Sequence, residues 1–237
     1  VIGLGGTGQW VLTFLKKDLM ESNGGVMPAD VQLLAVDTQL LDVQLYSTRD
    51  YTANDSWMGH MTGTGVGNVR IDPIREFFQL WGPSYDLIKE IHQESSRSEE
   101  YKWLDTGYFL DFLGIDQEDW EKIAFFGSNR QLGRLSLFNQ VGRFYNRIRQ
   151  AISAWDQATA NRMMPLGDQP YPQRDRLEVV IVTSLAGGTG GGIFMDVAWL
   201  VRAAAKSLAI GDYMLTGYLI MPTAWEQQGP STDKRLR

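Results

Sequence analysis

The sequence predicts an α/β fold built on parallel strands, and three features predict it. At the amino terminus a short apolar run leads into a glycine turn and a helical pattern, "VIGLGGTGQWVLTFLKKDL". The same order returns late in the chain, in "LEVVIVTSLAGGTGGGIFMDVAWLVR". The first helix is followed directly by another strand-length apolar run, "VQLLAVDTQ", so a right-handed parallel crossover is the economical topology.

Taken in order, the first unit has a strand end at residues 1–4, a turn containing Gly3, Gly5, Gly6 and Gly8, and a helix with Val11, Phe14 and Leu15 at helical spacing. The second strand closes on Asp37 and Thr38. Residues 45–125 carry "GHMTGTGVGNVRIDP", scattered aromatics and the acidic stretches "SRSEE" and "GIDQEDWEK" without a clean period; short helices and loops are expected there. Periodicity returns at "GRLSLFNQVGRFYNRIRQAISAW", where Leu137, Phe138, Val141, Phe144, Tyr145, Ile148, Ile152 and Trp155 form one wide apolar stripe. One long buried helix is the expectation. A polar, proline-containing loop, "MMPLGDQPYPQRD", then leads into the strand "LEVVIVTSL", the second glycine turn, a helix over about 193–208, and a last strand, "YMLTGYLIM".

Composition bounds the function. With 237 residues, 43% of them apolar, the chain can bury a full core, and no run of about 18 uninterrupted apolar residues is present to span a bilayer. Twenty-two Lys and Arg against 28 Asp and Glu give a net charge of -6, the wrong sign for direct nucleic-acid binding. Without cysteine there is no disulfide framework and no thiolate metal site. His60 and His92 lack partners at metal spacing and are expected to be structural or surface residues. A cytoplasmic location fits this composition. The chain starts inside a strand pattern and ends in "STDKRLR", which resembles the opening of a helix; both ends are expected to be cuts from a longer protein.

Five glycines in the six-residue window 187–192 are costly, because glycine loses the most conformational freedom on folding. The expectation is that they let a ligand approach. On its own, "GLGGTG" followed by an acid at the end of the next strand also suits a dinucleotide site. Two strand-turn-helix junctions, each presenting backbone N–H groups at a helix N-terminus, can cradle different phosphates of one nucleotide. No GxxxxGK[ST] occurs, so the phosphates would be held by backbone dipoles and a threonine, which excludes the ordinary P-loop NTPases. A side chain at Gly190 is expected to fill the space where backbone meets phosphate.

"AGGTGGG", residues 186–192, resembles the tubulin and FtsZ signature GGGTG[ST]G. "GLGGTGQ" is similar to that family's first nucleotide loop, "LLAVDTQ" to the strand that FtsZ proteins end in AVNTD, and "GSNRQLGRL" to the FtsZ stretch GANPEVGR. Four matches in one chain order resemble most closely the divergent bacterial tubulin-like proteins. The resemblance covers residues 1–44 and 127–228, leaves 45–125 as a divergent insertion, and implies a parallel sheet with helices on both faces.

Carried over, the resemblance implies that Gly5, Gly6, Thr7 and Gly8 form the first phosphate loop, with Gln9 near base and sugar. Asp37 and Thr38 fall near ribose and phosphates. Gly127, Asn129 and Gly133 match the loop that senses the terminal phosphate, where Arg130 is a candidate contact; Arg134 is expected to be part of a solvated arginine face. Gly187, Gly188, Thr189 and Gly190 match the signature loop, while Gly191 stands where the family has Ser or Thr and loses one hydroxyl contact. The implied cofactors are GTP or GDP with Mg²⁺, and the implied partners are further copies in protofilaments, and adaptor proteins. Catalytic acids are implied on a neighbouring subunit, in an activation domain beyond Arg237. An NAD-binding enzyme and a non-hydrolysing tubulin-like scaffold are the alternatives.

Overall fold

The computed structural model describes residues 1–38, 65–66, 69–94, 99–117, 120, 129–160, 163–166, 169–172 and 176–226. In chain order these form β1 (Ile2–Leu4), α1 (Gly5–Ser22), β2 (Leu34–Asp37), a small antiparallel hairpin of β3 (Gly65–Val66) and β4 (Val69–Arg70), β5 (Phe77–Gln79) and α2 (Tyr85–Gln93). A π-helical turn (Tyr108–Phe112), α3 (Arg130–Phe138), α4 (Val141–Ala160), the strands β6 (Met163–Leu166) and β7 (Gln169–Pro172), β8 (Leu177–Ser184), α5 (Gly188–Ser207), β9 (Tyr213–Ile220) and α6 (Thr223–Glu226) follow.

The five-stranded sheet runs β5-β2-β1-β8-β9 with every pair parallel. Its central strands β1, β2 and β8 are mostly apolar because both faces are covered. Ile2 stands beside Leu34 and Ile181, and Leu4 beside Val36 and Thr183. Register partners share a face. Ile2, Leu4, Leu34, Val36, Val179 and Ile181 therefore pack as one layer against Phe144, Ile148 and Ile152 of α4 and Ile193, Val197 and Val201 of α5. On the other face Leu33, Ala35 and Phe77 pack against Leu12 of α1 and Ile71. This is the α/β arrangement with helices on both faces that the sequence predicts.

Three expectations about elements are corrected. The apolar stripe over 133–155 is broken into two helices at Asn139 and Gln140, where the Gln140 N–H donates to Leu137 O, three residues back (3.0 Å). The Gln140 side chain turns inward, donating to Trp81 O (3.3 Å). The polar loop after α4 contains a hairpin, with β6 and β7 antiparallel. Within 45–125, Phe77–Gln79 is a strand of the main sheet beside β2, too short to show a period. Ile88 and Ile91 of α2, with Leu104, Phe109 and Trp120, form a separate cluster on Leu132 and Leu135 of α3. Among the described residues no helix is long and apolar enough to cross a membrane.

Candidate functional site

The strand order reverses between β1 and β8: the chain steps outward from β1 through β2 to β5 on one side, and from β8 to β9 on the other. Such a switch point leaves a crevice at the carboxyl ends of the two strands. Both glycine turns lie there. A cleft of about 230 Å³ is lined by Leu4, Gly5, Gly6 and Thr7, by Asp37 and Thr38 at the end of β2, and by Ser184, Gly187, Gly188, Thr189 and Gly190. A larger cavity, about 320 Å³, lies around Ile2, Leu34, Ile152, Leu177 and Val179 at the opposite end of the strands, away from both glycine turns.

The glycines are not a loop before the helices; they are the first turns of the helices. α1 begins at Gly5 and α5 at Gly188, five residues before the expected start at 193. Neither helix carries a side-chain N-cap, whereas Ser84 caps α2 and Asn129 caps α3. The first N–H groups of a helix have no partner inside it, so two N-termini without side-chain caps bring their partial positive charge to one cleft.

Steric fit assigns the glycines different tasks. Gly5, at φ +69°, turns the chain from strand into helix in a conformation that L side chains rarely adopt. Side chains added at Gly6 or Gly187 would meet open space. Gly8 instead packs against the backbone of Gly3, and Gly133 against Gly188 O. Gly190 lines the cleft with its backbone, while a Cβ there would overlap Thr183 Oγ1 and stand 2.9 Å from Leu4 O, so an added side chain would meet the helix–strand packing and not the open space of the cleft.

Asp37 is the polar centre of the cleft and is only 5% exposed. Its Oδ2 accepts from Gln9 Nε2 (2.7 Å), and its Oδ1 accepts from the Thr38 N–H (2.7 Å) and from Thr189 Oγ1 (3.0 Å). The Thr38 and Thr189 hydroxyls share a further bond of 2.9 Å. Three elements are thereby tied together, and Gln9 is placed as a support for Asp37. Among the described residues no group of three or more His, Asp or Glu is arranged to hold a metal. Mg²⁺ usually binds through one or two carboxylates plus substrate phosphates, and Asp37 is the carboxylate that lines this cleft.

The remaining described candidates are not among the residues that line the cleft. Gly127 and His60 fall outside the described residues. Asn129 accepts from the Leu132 N–H (3.0 Å) as the cap of α3. Arg130 Nη2 donates to Leu185 O (2.6 Å), and its side chain runs beside Gly191. Arg134 is not solvated as expected: it forks onto Asp196 through Nε and Nη2 (2.9 Å each) and lies 4.6 Å over the Trp103 ring. His92 is on α2, its Nδ1 3.0 Å from Thr106 Oγ1.

Sequence reasoning missed Ser184 and Thr183. Ser184 lines the cleft and accepts from the Ala186 N–H (3.1 Å). Thr183 is fully buried and donates to Leu4 O (3.3 Å), joining the ends of β8 and β1. Two hydroxyls in an apolar strand just before a glycine turn were the available signal.

Comparison with known proteins agrees with this architecture. No curated protein and no solved structure matches the chain. A family model described as "Tubulin like" matches residues 1–237. With that match spanning the whole sequence, over a parallel sheet whose paired glycine turns flank one crevice, the chain belongs to the tubulin-like family.

Proposed function

We propose that the cleft holds the phosphates of a guanine nucleotide between the N-termini of α1 and α5, and that the chain assembles head to tail. The observation that carries this reading is the pair of uncapped, glycine-built helix N-termini on either side of Asp37, Thr38 and Thr189. Gly6 and Gly187 line the cleft, and the space a side chain would take at each is open, which leaves room for phosphate oxygens to approach the backbone. Mg²⁺ would enter with the phosphates and neutralise part of their charge beside Asp37. The choice of guanine follows from family membership.

An exposed cleft at the carboxyl end of a sheet is covered when a second copy docks on it. A head-to-tail contact of that kind does not close, and its repetition makes a protofilament. Hydrolysis in this reading needs an acidic loop supplied by the neighbouring copy. A scaffold that binds no nucleotide is the second reading, favoured by an acid, Asp37, being the only ionisable residue among the described residues that line the cleft.

Mass spectrometry of small molecules released from the purified, denatured protein separates these readings. GTP or GDP at near one equivalent is the expected result. NAD would transfer the site to the dinucleotide enzymes, and an empty cleft that also fails to take up added GTP would leave the scaffold.

A further inference from the structure

The first turn of α5 is held on two sides. From the cleft, the Thr189 hydroxyl bonds to Asp37 Oδ1 and to Thr38 Oγ1. From behind, α3 meets it backbone to backbone at two points. A Cβ at Gly133 would overlap Gly188 O and stand 2.9 Å from Gly188 C and 3.0 Å from Thr189 Cα, and one at Gly192 would overlap Arg130 O and stand 3.2 Å from Arg130 Cα. Each helix thus lacks a side chain where the other's backbone arrives. One turn further along α5, Asp196 receives the fork from Arg134 of α3, through Nε and Nη2 at 2.9 Å each.

We infer that α3 is a brace for one wall of the cleft, and that Gly133 and Gly192 are positioning residues that set where the first turn of α5 presents its N–H groups. This rests on reading the cleft as a phosphate site. Gly188, Thr189 and Gly190 line the cleft, whereas Gly133 is buried in α3 and is not among the lining residues. Gly133 therefore acts on a bound nucleotide through α5, and not by touching a phosphate.

The seam transmits displacement because it is made of backbone. A side chain in the way can rotate aside; a helical carbonyl moves only with its helix. Cβ atoms essentially never come within 3.0 Å of another atom, so a methyl at position 133 must push Gly188 and Thr189 away from α3. Binding groups tolerate misplacement of only about 0.5 Å before their geometry is lost. The turn shifts as a unit, so every phosphate it contacts is affected together and the ratio of GTP to GDP affinity is preserved. A residue that touched the terminal phosphate alone would change that ratio.

The test is calorimetric titration of GTP and of GDP, with Mg²⁺, into the whole chain and its Gly133→Ala, Gly192→Ala, Asp196→Asn and Ile152→Ala variants, with far-UV circular dichroism to confirm folding. Gly133→Ala and Gly192→Ala should each weaken GTP and GDP by the same factor, about 10-fold or more, as expected for a misplaced hydrogen bond to a charged group. Asp196→Asn adds no atom to the seam and only slackens the fork, so an equal loss of about 2- to 5-fold for both nucleotides is expected; it decides the matter should neither glycine variant fold. Ile152, buried at the opposite end of the strands, is the control: its truncation lowers stability and should leave both affinities unchanged. A loss confined to GTP in the glycine variants, unchanged affinities in folded Gly133→Ala or in Asp196→Asn, or an equal loss in Ile152→Ala would each overturn the brace while leaving the phosphate cleft standing. Failure of the wild-type chain to bind either nucleotide would overturn both.

Discussion

Replacing Gly190 with alanine should unfold the protein more easily rather than block the cleft. The new methyl would overlap Thr183 Oγ1 and stand 2.9 Å from Leu4 O. Relief by rotating Thr183 gives up its bond to Leu4 O, a net loss of about 1 kcal/mol. Residual overpacking between β1, β8 and α5 adds about 1–3 kcal/mol. Alanine inside a helix returns about 1 kcal/mol relative to glycine, leaving a net destabilisation of about 1–3 kcal/mol. In urea, with a slope near 3 kcal/mol/M, the unfolding midpoint should fall by about 0.3–1 M.

Gly187→Ala is the matched control. Position 187 is the N-cap of α5 at φ -86° and ψ 155°, open to any L-residue, and its added methyl meets nothing within 4 Å. Stability should change by no more than about 0.5 kcal/mol, while GTP affinity should fall about tenfold or more, or about 1.4 kcal/mol. Urea unfolding followed by circular dichroism, with nucleotide titration on the same samples, reads both. A Gly190→Ala protein with the wild-type midpoint and no nucleotide binding would refute the packing assignment, because its methyl would then have to enter the cleft.

Two further outcomes test the cleft and its frame. Thr189→Val keeps the shape of the side chain but removes its bonds to Asp37 Oδ1 and Thr38 Oγ1; a loss of about 1.5–3 kcal/mol in unfolding free energy is expected for a hydrogen bond to a charged group, and an unchanged urea midpoint would count against the network. Arg134→Ala removes the fork onto Asp196 and the contact with Trp103. Because the pair is partly exposed, a stability loss of about 1 kcal/mol is expected, together with altered tryptophan emission, and a change in GTP affinity without either would contradict its pairing across α3 and α5.

What was legible in the sequence was whatever a short window contains. The runs at 1–4, 33–37 and 177–184 are mostly apolar because parallel strands are covered on both faces, and the two glycine turns announce where the first and last of those runs pass into helices. Asp37 and Thr38 were identifiable as the end of the second strand, and Thr189 as the hydroxyl of the second turn. β5 was not legible, since three residues carry no period and only pairing with β2 makes Phe77–Gln79 a strand. Nor was the break at Asn139 and Gln140, which depends on the turn there and on a carbonyl at Trp81, 59 residues earlier. Local sequence establishes that a glycine is present; the direction in which its missing side chain would have pointed is set by neighbours far along the chain. Tertiary structure alone therefore decided that Gly6 and Gly187 face open space while Gly190 and Gly133 face backbone and buried hydroxyl. It also decided that Thr189 reaches Asp37 across 152 positions and that Arg134 is spent on Asp196 while Arg130 is not. Apolar runs and turns are short-range properties of the chain; hydrogen-bond partners and steric fit are properties of the packed sheet.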